Sequence, residues 1–415
     1  MNLSKCLEYG LENSPSVKEA DYAVDAMEEG RKAARADFIP SLSSSYAFNR
    51  IENESSKYGY TPDTDYLNQY IRNFSVTLSQ VLYAGNRVIN NYQKAKLDIE
   101  RKEADRRLVR LELSYNIQAT FFQLMGAKQD VRVAEDSVTR LEEGEKSAKA
   151  YLEKSLTSYA EVLSAQVDLA DARQQLSQAM NNVNRKRVAL FSLMNHPISG
   201  DVTFEGGLAF FGDDNPSEFE NCWEVARANR PDLESLAKQV AMKEKDASAS
   251  LGAYLPLVRM NLGYNDMNRD YDSMSTISYD RDQRNRYWSA GVTCSWDIFD
   301  GGRNWYNRSA SLKEAQQVSE KIQQTQLSIK EGIRKALFSI TEAKLRTKVT
   351  QRAVDAAEEG YQVEKHRLEA GLATFSNLLD AQFRLTRAQS NYTKAMLDYQ
   401  MGRAELEFMM GESEE

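Results

Sequence analysis

Two stretches decide the fold: Arg72–Arg87, RNFSVTLSQVLYAGNR, and Trp288–Arg303, WSAGVTCSWDIFDGGR. They are separated by 216 positions, and both alternate before ending in a glycine turn and an arginine. In the first, Phe74, Val76 and Leu78 stand opposite Asn73, Ser75, Thr77 and Ser79. In the second, Trp288, Ala290, Val292, Cys294 and Trp296 stand opposite Ser289, Gly291, Thr293, Ser295 and Asp297. Strict alternation of this kind is the period of a half-buried strand. Earlier in each half a partner alternates in the same way. Leu42, Ser44, Tyr46 and Phe48 oppose Ser43, Ser45, Ala47 and Asn49, and Val258, Met260, Leu262 and Tyr264 oppose Arg259, Asn261, Gly263 and Asn265.

The offset of 216 holds along the whole chain without a gap. Cys6 falls on Cys222, Asn13 on Asn229, Pro15 on Pro231, Pro40 on Pro256, Gly85 on Gly301, and Arg187 on Arg403. Glu142-Glu143-Gly144 meets Glu358-Glu359-Gly360, and Ala165-Gln166 meets Ala381-Gln382. One structural unit is therefore used twice. Each copy reads as short helix, helix, strand, strand, long helix, long helix. Asn13-Ser14-Pro15 is a cap with proline near the first helical position, and Pro40 stops the helix that follows. The first repeat is expected over 1–200, with strands at about 41–51 and 70–82 and long helices at about 87–150 and 157–195. A linker or equatorial region is expected over 201–216. The second repeat follows over 217–411, with strands at about 257–266 and 287–297 and helices at about 303–367 and 373–410, then a disordered tail at 412–415. The Tyr-rich segments 52–69 and 267–286 read as loops.

The long helices contain no proline, and about 64 residues would extend roughly 95 Å. Leu169, Ala172, Leu176, Ala179 and Val183 step by three and four, as do Leu385, Ala388, Tyr392, Ala395 and Tyr399. A sustained period of 3.5 means a left-handed coiled-coil seam. The chain turns back at Ser155-Leu156-Thr157 and again at Gly371-Leu372-Ala373-Thr374.

The 415 residues carry 53 Lys and Arg against 61 Asp and Glu, a net charge of -8 that argues against nucleic acid as a partner. No apolar run reaches 18 residues, so no transmembrane helix is expected; strands of about ten residues remain able to span an outer membrane. Along the alternating residues quoted above, their apolar faces carry no charge, and Trp288 and Trp296 stand at the two ends of one strand, as interfacial belts require. Phe74, Tyr46 and Phe48 join them as membrane-facing aromatics. Four strands cannot close a barrel, and an open edge in lipid leaves backbone groups unsatisfied, so a membrane reading demands an oligomer. The alternative is a half-buried sheet in a soluble coiled-coil interaction scaffold with no transport role. A periplasmic adaptor, with one hairpin and β-rich domains, is opposed by the gap-free duplication. Residues 1–7, MNLSKCL, lack the basic start and apolar run of a signal peptide, leaving a cytoplasmic protein or one whose leader was removed. The three cysteines have no paired spacing and read as apolar filler. His196 and His366 fit no metal-ligand pattern, and phosphate-loop, nucleophile-elbow and dinucleotide motifs are missing, so neither enzyme activity, metal nor cofactor is expected.

Along its whole length the chain resembles the TolC-type outer membrane efflux protein family. The resemblance lies in the duplicated unit, in Cys6 through Pro15, and in Phe38-Ile39-Pro40 with Tyr254-Leu255-Pro256 before the strands. Leu82 through Arg87 and Ile298 through Arg303 match after the strands, and Gly371 through Gln382 matches at the second tip. It implies a mainly α protein with a small β part: a homotrimer whose 12-stranded outer-membrane β-barrel continues as an α-helical coiled-coil periplasmic tunnel. It further implies a passive exit duct for efflux or type I export, in outer membrane lipid, working with a periplasmic adaptor (membrane fusion) protein and an inner-membrane pump. By the same resemblance Asp380 and Asn377 lie where the family has gate aspartates, with Glu161 as the repeat-related carboxylate. Tip contacts are expected from Glu161, His366 and Arg367, and adaptor docking at Ser155, Leu156, Gly371 and Leu372.

Overall fold

The computed structural model describes residues 1–52, 68–198, 202–208, 218–272 and 282–412. Eight helices and four strands occur among them: α1 Leu3–Asn13, α2 Pro15–Ala36, β1 Ser41–Glu52, β2 Asn68–Ala84, α3 Arg87–Glu153, α4 Tyr159–Met194, α5 Phe219–Asn229, α6 Pro231–Gly252, β3 Leu257–Asp272, β4 Asp282–Ser295, α7 Arg303–Glu369 and α8 Phe375–Met410. Every helix of the first half begins and ends 216 positions before its counterpart in the second. The helix limits obey local chemistry. Pro15 and Pro231 open α2 and α6, where a missing N–H costs nothing. The Asn2 side chain accepts from the Lys5 N–H at the start of α1, and Asn195 and Gly411 end α4 and α8 in the left-handed region.

The chain divides into two compact units. The first comprises Met1–Ala23, Lys102–Ser235 and Lys321–Glu415. Its core has three clusters. One gathers Cys6 and Leu7 of α1 with Ile117, Phe121 and Leu124 of α3 and Leu190, Phe191 and Met194 of α4. A second repeats it 216 residues later, with Cys222 and Ala226 against Ile333, Ile340, Tyr399 and Leu406. The third underlies the helix tips and joins both halves, with Leu141, Val162, Ala165 and Leu169 against Tyr361, Phe375, Leu379 and Leu385. Each large side chain so buried contributes about 1.5–3 kcal/mol. Phe204, in the extended segment 202–208, joins the first cluster, and the Glu205 N–H donates to the Met1 carbonyl.

The second unit comprises Val24–Arg101 and Leu236–Glu320. It holds one antiparallel sheet of order β1-β2-β3-β4, so the repeats meet at β2·β3. Ser45 pairs with Ser75, Ser75 with Asn265, and Asn265 with Tyr287; a bulge interrupts β2 between Val81 and Tyr83. Ion pairs of 2.6–2.7 Å tie Lys94 to Asp246, Lys238 to Glu100 and Lys243 to Glu314.

The strands are longer than the alternation predicts. Residues 267–272 and 282–286, expected as loop, belong to β3 and β4, and β2 begins at Asn68. The reason is cross-strand charge: Arg284 and Arg286 reach Asp266 at 2.6 and 3.3 Å, and Arg72 reaches Asp270 at 3.3 Å. These pairs let the ladder run on past the last apolar residue, where hydropathy alone gives no strand signal. The uncharged face expected of the strands therefore holds only up to Trp288, which lies within β4 rather than at its end. Of the expected loops, 53–67 and 273–281 lie outside the described residues, as do 201 and 209–216 of the linker region and 413–415 of the tail.

Candidate functional site

The two helix tips are built alike. α3 ends with Ser155 at φ 58° and α7 with Gly371 at φ 72°. The Ser155 N–H donates to Leu152 and the Leu156 N–H to Tyr151, at 2.8 and 2.9 Å; Gly371 and Leu372 repeat this toward Leu368 and Arg367. This double bond closes a helix with one left-handed residue. Ser158 and Thr374 then cap α4 and α8, accepting from the N–H groups of Glu161 and Asn377. Between closure and cap, Leu156 and Leu372 are left exposed.

The predicted gate residues separate into two kinds. Glu161 and Asn377 occupy the third position of their helices, and the Glu161 carboxylate accepts from the Thr157 hydroxyl in its own turn. Asp380 lies one turn further along α8, exposed. The predicted tip contacts form within single helices: His366 Nδ1 lies 3.4 Å from Glu369, and Arg367 pairs with Glu364 at 2.8 Å while reaching the Leu372 carbonyl at 3.5 Å.

Other residues join the hairpins, and the sequence reading passed over them. Phe375 packs edge-on over Gly144, where an added Cβ would lie 3.2 Å from its ring. Buried Gln382 donates from Nε2 to the Ser137 carbonyl at 3.1 Å, bridging α8 to α3. The signal was present in the matched pairs Gly144/Gly360 and Gln166/Gln382, but a shared register names equivalent residues, not partners.

In the sheet, Leu42, Tyr46 and Phe48 line up beside Phe74, Val76 and Leu78, then Leu262 and Tyr264, then Trp288, Ala290 and Val292. This face is exposed: Trp288 shows 82 % of its surface, and Tyr46, Phe48, Phe74 and Trp296 are also open. Trp296 lies just past β4, its indole donating to the Tyr254 carbonyl at 2.9 Å. A soluble chain rarely exposes an apolar band of this kind without a partner phase for it. Past β4, the Asp300 carboxylate accepts from the N–H groups of Asn304 and Gly302, each at 2.9 Å, which holds it below the usual carboxylate range and anchors α7.

Residues 7–196 and 223–412 each match the family described as outer membrane efflux protein. This chain belongs to that family. The two matches fall on the two halves of the duplication, one family unit on each. Among relatives of this outer membrane efflux protein is the pyoverdine export outer membrane protein OpmQ of Pseudomonas aeruginosa, 21% identical over 397 residues, covering 93% of this chain and 80% of OpmQ. The alkaline protease secretion protein AprF of the same organism is also 21% identical, over 97% of this chain and 82% of AprF. The solved outer-membrane channel OprN superposes with a TM-score of 0.83 at 19% identity, over 99% of this chain and 89% of that one. The efflux protein thus has a mainly helical fold with a small antiparallel sheet, as the resemblance implied, and its family places it in the bacterial outer membrane.

Proposed function

We propose that the chain is one third of an exit duct. Three copies close their four-stranded sheets into a 12-stranded barrel in outer membrane lipid, and α3, α4, α7 and α8 wall a periplasmic tunnel. The duct conducts passively and carries no catalytic step. The observation behind this reading is the sheet itself: β1 and β4 are open edges on a sheet whose exposed face is apolar and aromatic. In lipid, open edges cost several kcal/mol per unsatisfied group, and ring closure removes them. One relative exports pyoverdine and another secretes an alkaline protease, which supports export as the shared task.

At the helix tips, Asp380 from three copies forms the narrowest ring, with Asn377 and Glu161 setting its approach; rings of carboxylates favour cations. Leu156 and Leu372 offer apolar anchors, beside Ser155 and Gly371, to the hairpins of a periplasmic adaptor that couples the duct to an inner-membrane pump. His366 and Arg367 stiffen the second tip.

Purified protein reconstituted into planar bilayers tests the reading. A trimer by light scattering that opens ion channels is the expected result; a monomer that stays out of bilayers overturns it. Within the channel, Asp380→Ala should raise conductance and weaken block by divalent cations, and unchanged block would remove Asp380 from the gate.

A further inference from the structure

The two repeats touch inside one chain, at β2·β3 in the sheet and at α3·α8 beneath the tips. We infer that the same contact recurs between neighbouring copies, shifted by 216 positions, so that β4 of one copy pairs with β1 of the next with Cys294 opposite Tyr46. This rests on the trimer reading above, and it adds what that reading lacks: the register of the seam and the residues that meet across it.

The β2·β3 ladder sets the register. Leu78 faces Leu262, Ser79 faces Asn261, and Ser75 faces Asn265. Moving each β2 residue forward by one repeat lands in β4, and moving each β3 residue back lands in β1. The three pairs become Cys294 with Tyr46, Ser295 with Ser45, and Gly291 with Asn49. The faces agree with this pairing. Cys294 and Tyr46 both lie on the apolar face, Val292 comes opposite Phe48 there, and Ser295 meets Ser45 on the small, polar face. A slip of one residue would set Tyr46 against Ser295 and turn one apolar face inward.

The tips carry the same relation independently. Within the chain Phe375 sits over Gly144 at 3 % exposure, and Leu379 beside it is buried. Their repeat mates stand ready but empty-handed. Tyr159 is 65 % exposed, Leu163 is exposed, and nothing lies within 4 Å of a Cβ built on Gly360. A second copy, offering its α4 to this α7, supplies Tyr159 to Gly360 as Phe375 is supplied to Gly144. The seam is not an identical replica. Gly85 and Gly252 approach so closely that neither admits a Cβ, whereas Ala36 replaces Gly252 in the shifted contact with Gly301, and its methyl holds the copies wider at that level.

Cysteine cross-linking reads the register directly. Residues directly opposite in an antiparallel pair have Cα atoms about 4.5–5.5 Å apart, within the disulfide range of about 4.4–6.8 Å. Tyr46→Cys, oxidised in the detergent-solubilised protein with copper phenanthroline and dioxygen, should convert most chains to covalent dimers and trimers on boiled, non-reducing gels. Adding Cys294→Ser should abolish the product, and Leu42→Cys, about 13 Å along the strand, should give none. Should Tyr46→Cys fold poorly, Ser45→Cys with Ser295→Cys, in a Cys294→Ser background, tests the same register from the other face. Light scattering on the same samples separates the two ideas. A trimer that cross-links at neither pair, or faster from Ser44→Cys or Phe48→Cys, overturns the register alone; a monomer overturns the trimer reading as well.

Discussion

Phe375→Ala is the sharpest perturbation of the tips. The ring is almost wholly buried, fills the space above Gly144, and belongs to the cluster that joins α3, α4, α7 and α8. Truncation removes the ring and leaves a cavity, because the α3 backbone beneath is helical and Gly144 has no side chain to move in. Phe→Ala at such sites costs about 3–5 kcal/mol. The loss falls on the first turns of α8, where Leu378, Leu379 and Gln382 depend on the same packing. At about 1.4 kcal/mol per decade, amides of those turns should exchange about two to three and a half decades faster when exchange proceeds by local opening. Phe375→Leu keeps most of the volume and should shift exchange by about one decade or less. Hydrogen–deuterium exchange with peptide mass spectrometry on the detergent-solubilised protein gives the comparison. An acceleration below about tenfold for Phe375→Ala would refute the view that this ring ties the two hairpins together.

Gly85→Ala should destabilise the chain by about 2 kcal/mol or more, because it adds a left-handed alanine and drives a methyl into the Gly252 backbone. Gly301→Ala, with φ 71° but open space around it, should cost about 1–2 kcal/mol, and denaturation followed by circular dichroism ranks the two. Gly360→Ala should gain about 1 kcal/mol of helix stability in dissociated chains, whereas Gly144→Ala, pressed against Phe375, should gain less or lose; thermal unfolding in a dissociating detergent checks the order. Burial closes the Cys6 thiol off from solvent and pushes it from 9.0 up to about 11, so at pH 8 iodoacetamide should modify Cys6 at least about 100-fold more slowly in the folded protein than in urea. The sign extends to stability: the unfolded thiol ionises first, so stability from this site is full below pH 9 and declines between pH 9 and about 11.

Much of the architecture was legible because it depends on local chemistry. Pro15 and Pro231 open helices, Pro40 and Pro256 precede strands, and the glycine turns after β2 and β4 stand where the alternation stops. The strand ends were hidden because Arg72 pairs with Asp270, and Arg284 and Arg286 with Asp266, across the ladder, and such pairing leaves no hydropathy signature. The tip turns were readable from Gly371-Leu372 and Ser155-Leu156 for the same local reason. Phe375 over Gly144 and Gln382 on Ser137 were not. Their partners lie more than 200 residues away, and helical periodicity tells which side of a helix is buried without telling what buries it.

The unbroken offset between the halves has a consequence for how such a chain can change in length. One residue inserted into α3 rotates everything beyond it by about 100°, which carries Gly144 out from under Phe375 and Ser137 away from Gln382. A matching insertion in α7 would restore the likeness of the halves but not the lost mesh, since α8 would keep its old phase. The four long helices therefore behave like gear teeth cut to one pitch, tolerant of altered composition and intolerant of altered count.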